Sequence, residues 1–316
     1  MGPQGERLVG ERGAARLAAR LAGVPRGCVE ADACPLGGLL ASIDGYSASE
    51  SRLPWMGWAD WGWKAAVAAA SDLAASGATP AGLLVSVGAR EPGVAVEVAR
   101  GAGEAAAWMG AEVLGGDTNR CGCDAWVDVA ALGALRYWSP RWAARPGHVL
   151  LRAGELGPGA LALLALQGRV SVDDIPGGVL DYTRRPRPPL RLPEELWRAG
   201  CPPAAGVDNS DGWSETLWLL AEASGVRVEL WSLGPSRVAA GAFESLGLPG
   251  EAAAASGEDY TLLLAFPGES VECALSACRR LGVDCEPVGR AVEGAPSVVY
   301  RGRPLGRGGW DSFAPP

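Results

Sequence analysis

Apolar residues recur in two kinds of segment along the chain, and their alternation limits the folds open to it. Short runs such as GLLASID (38–44) and AGLLVSVGA (81–89) have the length and composition of strands. The longer DWGWKAAVAAASDLAASGA (60–78) is rich in alanine and reaches a helix stop signal at Gly77. Both halves of the chain mix such segments, so we predict an α/β (α+β) fold with two mixed sheets.

A domain boundary is predicted near RYWSPRWAARPGH (136–148), where proline, arginine and tryptophan interrupt the periodic pattern. The chain has 316 residues, and the hydrophobic 48% of them are sufficient for two cores. We therefore predict an N-terminal domain over residues 1–138 and a C-terminal α/β domain over residues 139–316.

The composition excludes several classes of function. A formal net charge of -8 argues against a nucleic-acid-binding surface, and the sequence contains no G-x-x-x-x-G-K-[ST] phosphate loop. A single histidine and the lack of G-x-S-x-G argue against a serine hydrolase. The first residues are polar and no apolar run could span a bilayer, so we expect a cytoplasmic protein that binds neither membranes nor nucleic acid.

The eight cysteines do not follow the spacing of a zinc site. In a cytosolic chain, cysteines more often serve as small buried side chains than as disulfides, and we adopt that interpretation. Intracellular proteins of hyperthermophiles are an exception, so disulfides stay as the alternative.

Aspartates follow small residues at the predicted ends of strands and helices. We expect the first strand to end at Asp44, with Gly45 turning the chain, and Asp117 to follow a glycine pair at a strand end. Each acid taken singly is explained by a turn or a helix cap, but Asp72 lies inside the alanine-rich helix, where aspartate is unfavourable. The set is Asp32, Asp44, Asp72, Asp117, Asp208 and Asp211. Together they predict oxygen ligands for several Mg²⁺ ions, with Asp117 holding a metal that contacts phosphate.

Tryptophan is frequent, with 13 residues, and four of them lie in LPWMGWADWGWK (53–64). We favour a packed aromatic patch at a domain or dimer interface. The alternative is that Trp55 or Trp58 stacks on the planar ring of a substrate.

Five motifs occur in a fixed order along nearly the whole chain. GWKAAVAAASDLAASGATP is followed by GGDTNR, RWAARPGH, VDNSDG and SGEDYTLL, and the tail contains GGWDSF. These resemble, in order, the G-x-K…S-D-x-A-A-M-G-A-x-P, G-G-D-T, R-x-G-A-x-x-G-D, D-x-S-D-G and G-G-E-D-Y-E-L motifs of the thiamine-monophosphate kinase family. That family lies within the wider aminoimidazole-ribonucleotide-synthetase-like superfamily.

The resemblance implies two α/β domains, with the N-terminal sheets of two chains pairing in a homodimer. It implies that ATP and several Mg²⁺ ions bind in the cleft and that the γ-phosphoryl group passes directly to thiamine monophosphate. The acceptor is already an anion, so positioning and charge neutralisation carry the catalysis and no strong general base is required.

The resemblance also implies roles by motif position. The implied metal ligands are Asp32, Ser42, Asp44, Asp72, Asp117, Asp208 and Asp211. The implied ATP contacts are Gly115, Gly116, Asp117, Arg141 and Ser210. The implied contacts to the acceptor are Ser51, Glu258, Trp310 and Phe313.

The sequence departs from the family pattern at several of these motifs. The family's G-D-D-A-A-V reads EADACP, which loses one acid at Ala31, and Ser51 stands where the acceptor segment has histidine. His148 replaces the last acid of its motif, and Ser312 replaces a tail histidine. Two alternatives follow: the same chemistry on a different small acceptor, or a nucleotide-binding homologue without turnover.

Overall fold

Two β-sheets, one in each half of the chain, organise the fold in a computed structural model that describes residues 10–310. The strands there are β1 (Cys34–Leu36), β2 (Leu39–Ser47), β3 (Ala78–Ala89), β4 (Glu112–Arg120), β5 (Ala125–Leu135), β6 (Val149–Ala153), β7 (Ala205–Asp208), β8 (Arg227–Leu230), β9 (Leu262–Phe266), β10 (Cys285–Val292), β11 (Ser297–Tyr300) and β12 (Arg303–Pro304). The helices are α1 (Gly10–Leu21), α2 (Arg26–Val29), α3 (Ala48–Ser51), α4 (Trp58–Ser76), α5 (Pro92–Met109), α6 (Pro158–Leu166), α7 (Gly177–Arg184), α8 (Leu192–Ala199), α9 (Trp213–Ser224), α10 (Arg237–Ser245) and α11 (Val271–Leu281). The predicted α/β fold with two mixed sheets is confirmed.

The first sheet has the order β1-β2-β5-β3-β4, with β3 and β4 parallel and the other neighbours antiparallel. Helices α4 and α5 cover one of its faces, and α4 ends at Gly77 in the left-handed conformation, as predicted. The two helices approach closely at glycines. A Cβ on Gly62 would lie 2.0 Å from the carbonyl oxygen of Val98, and one on Gly101 would lie 1.8 Å from that of Ala59.

The second sheet has the order β12-β11-β8-β10-β6-β9-β7. Its outer strand β7 lies against α4 of the first domain, where a Cβ on Gly206 would be 2.0 Å from the carbonyl oxygen of Ala75. The hydrophobic cluster around α4 accordingly includes Tyr260, Leu262 and Phe266 from the second half of the chain. This shared core holds the C-terminal half of α4 beside the end of β7.

The tryptophan-rich segment packs where the two halves of the chain meet. Trp63 Nε1 donates to the carbonyl oxygen of Pro186 at 2.9 Å, and Trp55 Nε1 donates to Thr183 Oγ1 at 3.0 Å. Arg185, the residue before Pro186, forms an ion pair with Asp60, with 2.6 Å between its Nε and Oδ1 of Asp60. These contacts agree with the interface interpretation of the tryptophans.

The predicted ends of two strands are wrong. β2 does not turn at Gly45 but continues to Ser47, because it pairs with β5 along its whole length. A Cβ on Gly45 would lie 2.2 Å from Oδ1 of Asp128, so a larger residue there would displace that side chain. β4 likewise continues past Asp117 to Arg120.

The expectation that the cysteines are free buried thiols is wrong for six of the eight. Disulfides join Cys28 to Cys34, Cys121 to Cys123 and Cys201 to Cys273, whereas Cys278 and Cys285 are free. The last disulfide spans 72 positions of sequence, and packing of α8 against α11 brings its ends together.

Within residues 10–310, no helix combines the length and the apolar character needed to cross a membrane.

Candidate active site

Three carboxylates converge where the two domains meet. Asp32 lies between α2 and β1, Asp72 lies in α4, and Asp208 is the last residue of β7. Each offers an oxygen atom within 4.8 Å of the oxygens of the other two. Packing of α4 on β7 therefore explains why aspartate is retained at an unfavourable helical position.

Burial dominates the electrostatics of this cluster. It raises the pKa of Asp72 and of Asp208 well above the usual range, and the neighbouring carboxylates raise both pKa values further. The pKa of Asp44 rises to about 6, chiefly through burial and then through the negative charge of Asp211. These acids thus repel one another in a desolvated space, and a bound cation would relieve that repulsion.

The cluster fits a hard divalent cation in its ligand atoms. Asp32 Oδ2 is buried and has no hydrogen-bond partner among the described residues. Asp208 Oδ2 accepts a hydrogen bond from Ser71 Oγ at 2.6 Å, which fixes the orientation of that carboxylate. An all-oxygen donor set with a free buried carboxylate oxygen is the kind that Mg²⁺ prefers.

Arg141 is the positive charge beside the acids. Its guanidinium donates to Asp32 Oδ1, and this contact lowers the pKa of Asp32 against the larger effect of burial, which raises it. The backbone carbonyl of Arg141 accepts a hydrogen bond from Ser224 Oγ at 2.7 Å. Ser42 faces α4 and donates to the carbonyl oxygen of Ala69 at 2.6 Å, so its proton is already committed there.

Asp117 does not join this cluster within one chain. The strand register places it in a row with Ser86, Asp128 and Gly45, whereas the row that contains Asp44 ends at Gly116. Side chains alternate between faces, so Asp117 lies on the open face of the sheet and Asp44 on the face covered by helices. Three strand spacings, about 14 Å, also separate their backbones.

The exposed Asp117 carboxylate is hydrogen-bonded locally. It accepts from the backbone N–H of Thr118 at 2.9 Å and from Asn119 Nδ2 at 2.7 Å. Gly115 and Gly116 precede it on the same exposed edge strand. These implied nucleotide contacts therefore lie on the edge strand of the first sheet, whereas Arg141 lies beside Asp32.

A second polar group forms around Lys64. This buried lysine, only 1% exposed, donates to Glu258 Oε1 at 2.5 Å and to the carbonyl oxygen of Ser51 at 2.6 Å. Ser51 Oγ accepts from Trp61 Nε1 at 2.8 Å. Lys64 therefore contacts both Ser51 and Glu258, the two residues here that were implied to contact the acceptor. The motifs had implied no role for this lysine.

A pair of tyrosines lies between the Lys64 group and the acids. The hydroxyl groups of Tyr46 and Tyr260 are 3.2 Å apart, and burial, with the negative charges of Asp44 and Glu258, raises the pKa of each tyrosine. Tyr260 and Glu258 have left-handed backbones, with φ of 53° and 58°. Such conformations in non-glycine residues concentrate at functional sites. The SGEDY motif was the sequence signal for this segment, although it did not single out Tyr260.

The chain tail reaches the same region. The backbone N–H of Trp310 donates to the carbonyl oxygen of Asp211 at 2.8 Å, and the indole side chain is 55% exposed. The carbonyl oxygen of Ser210 accepts from the N–H of Glu258 at 2.7 Å, so the tail and the two loops adjoin. Phe313 and Ser312 lie outside the described residues.

Asp259 lies between Glu258 and Tyr260, the two residues with left-handed backbones, and it supports the loop that carries Glu258. Its carboxylate accepts from the backbone N–H groups of Gly157 and Gly159, both at 2.8 Å, at the start of α6. Burial raises the pKa of this carboxyl to about 7. Asp259 therefore fixes the Glu258 loop to a helix N-terminus of the second domain.

Both domains of the chain match family models of the AIR synthase related proteins. Residues 15–135 match the N-terminal domain of AIR synthase related protein, and residues 145–301 match its C-terminal domain. A thiamine-monophosphate kinase from Pyrobaculum calidifontis is 35% identical over 289 residues, which cover 91% of each chain. The present chain belongs to the thiamine-monophosphate kinase family and is a phosphotransferase.

Solved structures share this fold. A protein from Thermus thermophilus superimposes with a TM-score of 0.82 at 31% identity, covering 94% of this chain and 98% of that one. AaThiL in complex with AMPPCP and TMP superimposes with a TM-score of 0.81 at 23% identity, over 98% and 100% of the two chains. The second likeness concerns the fold alone.

Proposed function

We propose that this protein transfers the γ-phosphoryl group of ATP to thiamine monophosphate, with Mg²⁺ held by the acid cluster. The observation that carries the proposal is the convergence of Asp32, Asp72 and Asp208 around a buried carboxylate oxygen without a partner among the described residues. A 35% identical relative is a thiamine-monophosphate kinase, and a protein of the same fold binds AMPPCP and TMP together.

In this proposal the acidic residues bind the metal and Arg141 binds phosphate. Asp32, Asp72 and Asp208 hold Mg²⁺, with Asp44 and Asp211 close enough to take part through their charges. When bound, Mg²⁺ neutralises phosphate charge and orients the transferring group. Arg141 adds a fixed positive charge at the same place and binds phosphate oxygens of the nucleotide.

The Lys64 group binds the acceptor. The Glu258 carboxylate is partly exposed, at 36% of its side chain, and attracts the positively charged ring of thiamine. Lys64 fixes that carboxylate, and the exposed indole of Trp310 offers a surface for ring stacking. Ser51 replaces the family's histidine and contributes its backbone carbonyl to hold Lys64.

We further propose that a second copy of the chain covers the open face of the first sheet. Ile43, Leu84 and Leu114 are 68%, 44% and 55% exposed there, and an exposed group of large apolar side chains on one sheet is typical of an interaction surface. Asp117 lies on this face, and we propose that the pairing of the two sheets brings it to the partner's nucleotide site. This arrangement gives Asp117 a role that it cannot have within one chain.

Mixed dimers test the contribution of Asp117. Asp72→Asn and Asp117→Asn are each expected to abolish turnover. Co-assembly of the two inactive variants should restore about a quarter of wild-type activity, because half of the random dimers contain one intact site of two. No recovery, with mixed dimers demonstrated by mass spectrometry, would contradict a shared site.

The main test is phosphoryl transfer from ATP to thiamine monophosphate with Mg²⁺, with thiamine diphosphate as the detected product. Steady product formation that EDTA abolishes is expected. Binding of ATP with transfer to other small phosphorylated acceptors, but not to thiamine monophosphate, would move the assignment to the first alternative. Binding of ATP without any transfer would favour a nucleotide-binding homologue.

A further inference from the structure

Two cysteines flank the metal-site residue Asp32, and the proposed reaction uses neither. Cys28 lies in α2 and Cys34 begins β1, with their Cα atoms 5.3 Å apart and their sulfur atoms bonded. The five residues between them, VEADA, include Asp32. Both cysteines are partly exposed, so small thiols and disulfides can reach them.

Other contacts also hold the segment between these cysteines: Glu30 pairs with Arg16 at 3.0 Å, and Ala33 is buried in the core. The backbone N–H of Ala33 donates to Ser76 Oγ at 3.1 Å, and that of Ala31 donates to the carbonyl oxygen of Cys28 at 3.3 Å. The Asp32 side chain is held by Arg141, a residue that the nucleotide also requires. The disulfide therefore closes a short loop whose tip carries a metal ligand.

We propose that Cys28 and Cys34 form a thiol–disulfide site that sets the metal affinity of the acid cluster through the position of Asp32. This inference rests on the proposed function, because it takes Asp32 to be a metal ligand. With the disulfide formed, the loop is held in the metal-binding arrangement. With the thiols reduced, the ends of the loop separate and Asp32 binds metal more weakly.

The oxidant is a low-molecular-weight disulfide of the glutathione type. One cysteine thiolate attacks it, forming a mixed disulfide and releasing one small thiol. The second cysteine thiolate then displaces the other small thiol and forms the Cys28–Cys34 bond. Two protein thiols are oxidised, one small disulfide is reduced to two thiols, and two protons leave the cysteines and are taken up by the released thiolates.

The test measures Mn²⁺ binding to the full-length protein by calorimetry, after equilibration with oxidised or reduced glutathione. Reduction should weaken Mn²⁺ binding about tenfold, the lower end of what loss of support around a metal ligand costs. The Cys28→Ser/Cys34→Ser variant should bind like the reduced wild type in both buffers. A matched control, Cys121→Ser/Cys123→Ser, removes the surface disulfide and should keep the tenfold response.

Peptide mapping verifies the oxidised state, and circular dichroism verifies folding of each variant. Equal Mn²⁺ affinity of oxidised and reduced protein would overturn the inference while leaving Mg²⁺-dependent phosphoryl transfer intact. The inference is equally overturned if Cys28→Ser/Cys34→Ser still responds to glutathione, or if peptide mapping finds no Cys28–Cys34 bond after oxidation. If neither state binds Mn²⁺ nor transfers phosphate, the proposed function fails together with this inference.

Discussion

Asp72 illustrates, at the scale of one residue, how the proposed metal site opposes the stability of the chain that forms it. Its half-buried carboxylate lies beside those of Asp208 and Asp32, and its pKa is raised by desolvation and by the negative charges of Asp44, Asp208 and Asp32. An alanine-rich helix would be more stable with a different residue at this position. The helix therefore retains an unfavourable aspartate at a position where a cation is expected to bind.

Asp72→Asn should change metal-dependent activity and the stability of the metal-free protein in opposite directions. Loss of one of several repelling carboxylates is expected to raise the metal-free free energy of unfolding by about 1 kcal/mol, while abolishing Mg²⁺-dependent turnover. Urea unfolding in EDTA and the kinase assay measure the two effects. Asp174→Asn, at an exposed acid far along the chain, should change neither. A large loss of stability in Asp72→Asn would contradict this account of the cluster.

The pH dependence of stability follows from the same residues. The pKa of Asp44 is about 6 in the folded chain against a usual 3.8, and those of Asp72 and Asp208 are also raised. The folded state thus retains protons that the unfolded chain releases, so this stabilisation is complete below pH 3.8 and is lost as pH rises through 6.

Melting temperatures between about pH 5 and pH 8 should therefore fall with rising pH in EDTA. Mg²⁺ should reduce this slope, because metal binding favours the deprotonated carboxylates. Part of the slope should persist, because Asp259, with a pKa of about 7, shows the same dependence outside the metal cluster. Identical slopes with EDTA and with Mg²⁺ would show that the acids do not bind the ion.

Helices α4 and α5 show, at the scale of the element, which parts of the fold the sequence predicts. The length, composition and glycine stop of α4 are local properties, and the helix was predicted almost to the residue. The close approach of α4 and α5 is not local, because it depends on which glycines face each other. Gly101 faces Ala59, whereas Gly103, two residues later in α5, faces open space.

Gly101→Ala should lower the free energy of unfolding by about 2 kcal/mol, because the added methyl group forces the two helices apart. Gly103→Ala is the matched control and should raise it by a few tenths to about 1 kcal/mol through helix propensity. Chemical denaturation of both variants under identical conditions measures the difference. Similar effects of the two substitutions would contradict the close helix contact.

Local sequence could not predict where the strands end or on which face of a sheet a side chain lies. Asp44 and Gly45 read as a turn, but pairing with β5 extends β2 past them. The face on which Asp117 lies depends on the register of four strands. The contact between Lys64 and Glu258, 194 positions apart, likewise required the whole fold.

A shared core joins the two domains at the scale of the whole molecule, and a long-range disulfide restrains the second of them. The Cys201–Cys273 bond closes a segment with a sequence separation of 72 between α8 and α11. Closing a loop of this size is expected to stabilise the folded chain by about 4 kcal/mol through the entropy of the unfolded state.

Reduction should accordingly lower the thermal midpoint of the protein by about 6 °C, because the entropy of unfolding of a chain this long is large. Calorimetric scans with and without reductant measure the shift. In Cys201→Ala/Cys273→Ala, most of the effect of the reductant should be absent. A reductant effect of undiminished size in this variant would assign the stabilisation to the shorter disulfides.

The central claim is that Asp32, Asp72 and Asp208 bind the metal that serves the nucleotide. The most direct measurement is anomalous diffraction from crystals of the full-length protein grown with Mn²⁺ and a non-hydrolysable ATP analogue. The account predicts a manganese peak among these three residues, about 2.1 Å from their oxygens, as expected for octahedral oxygen coordination. Bound nucleotide with manganese only at other sites, and with Asp72 uncoordinated, would contradict it.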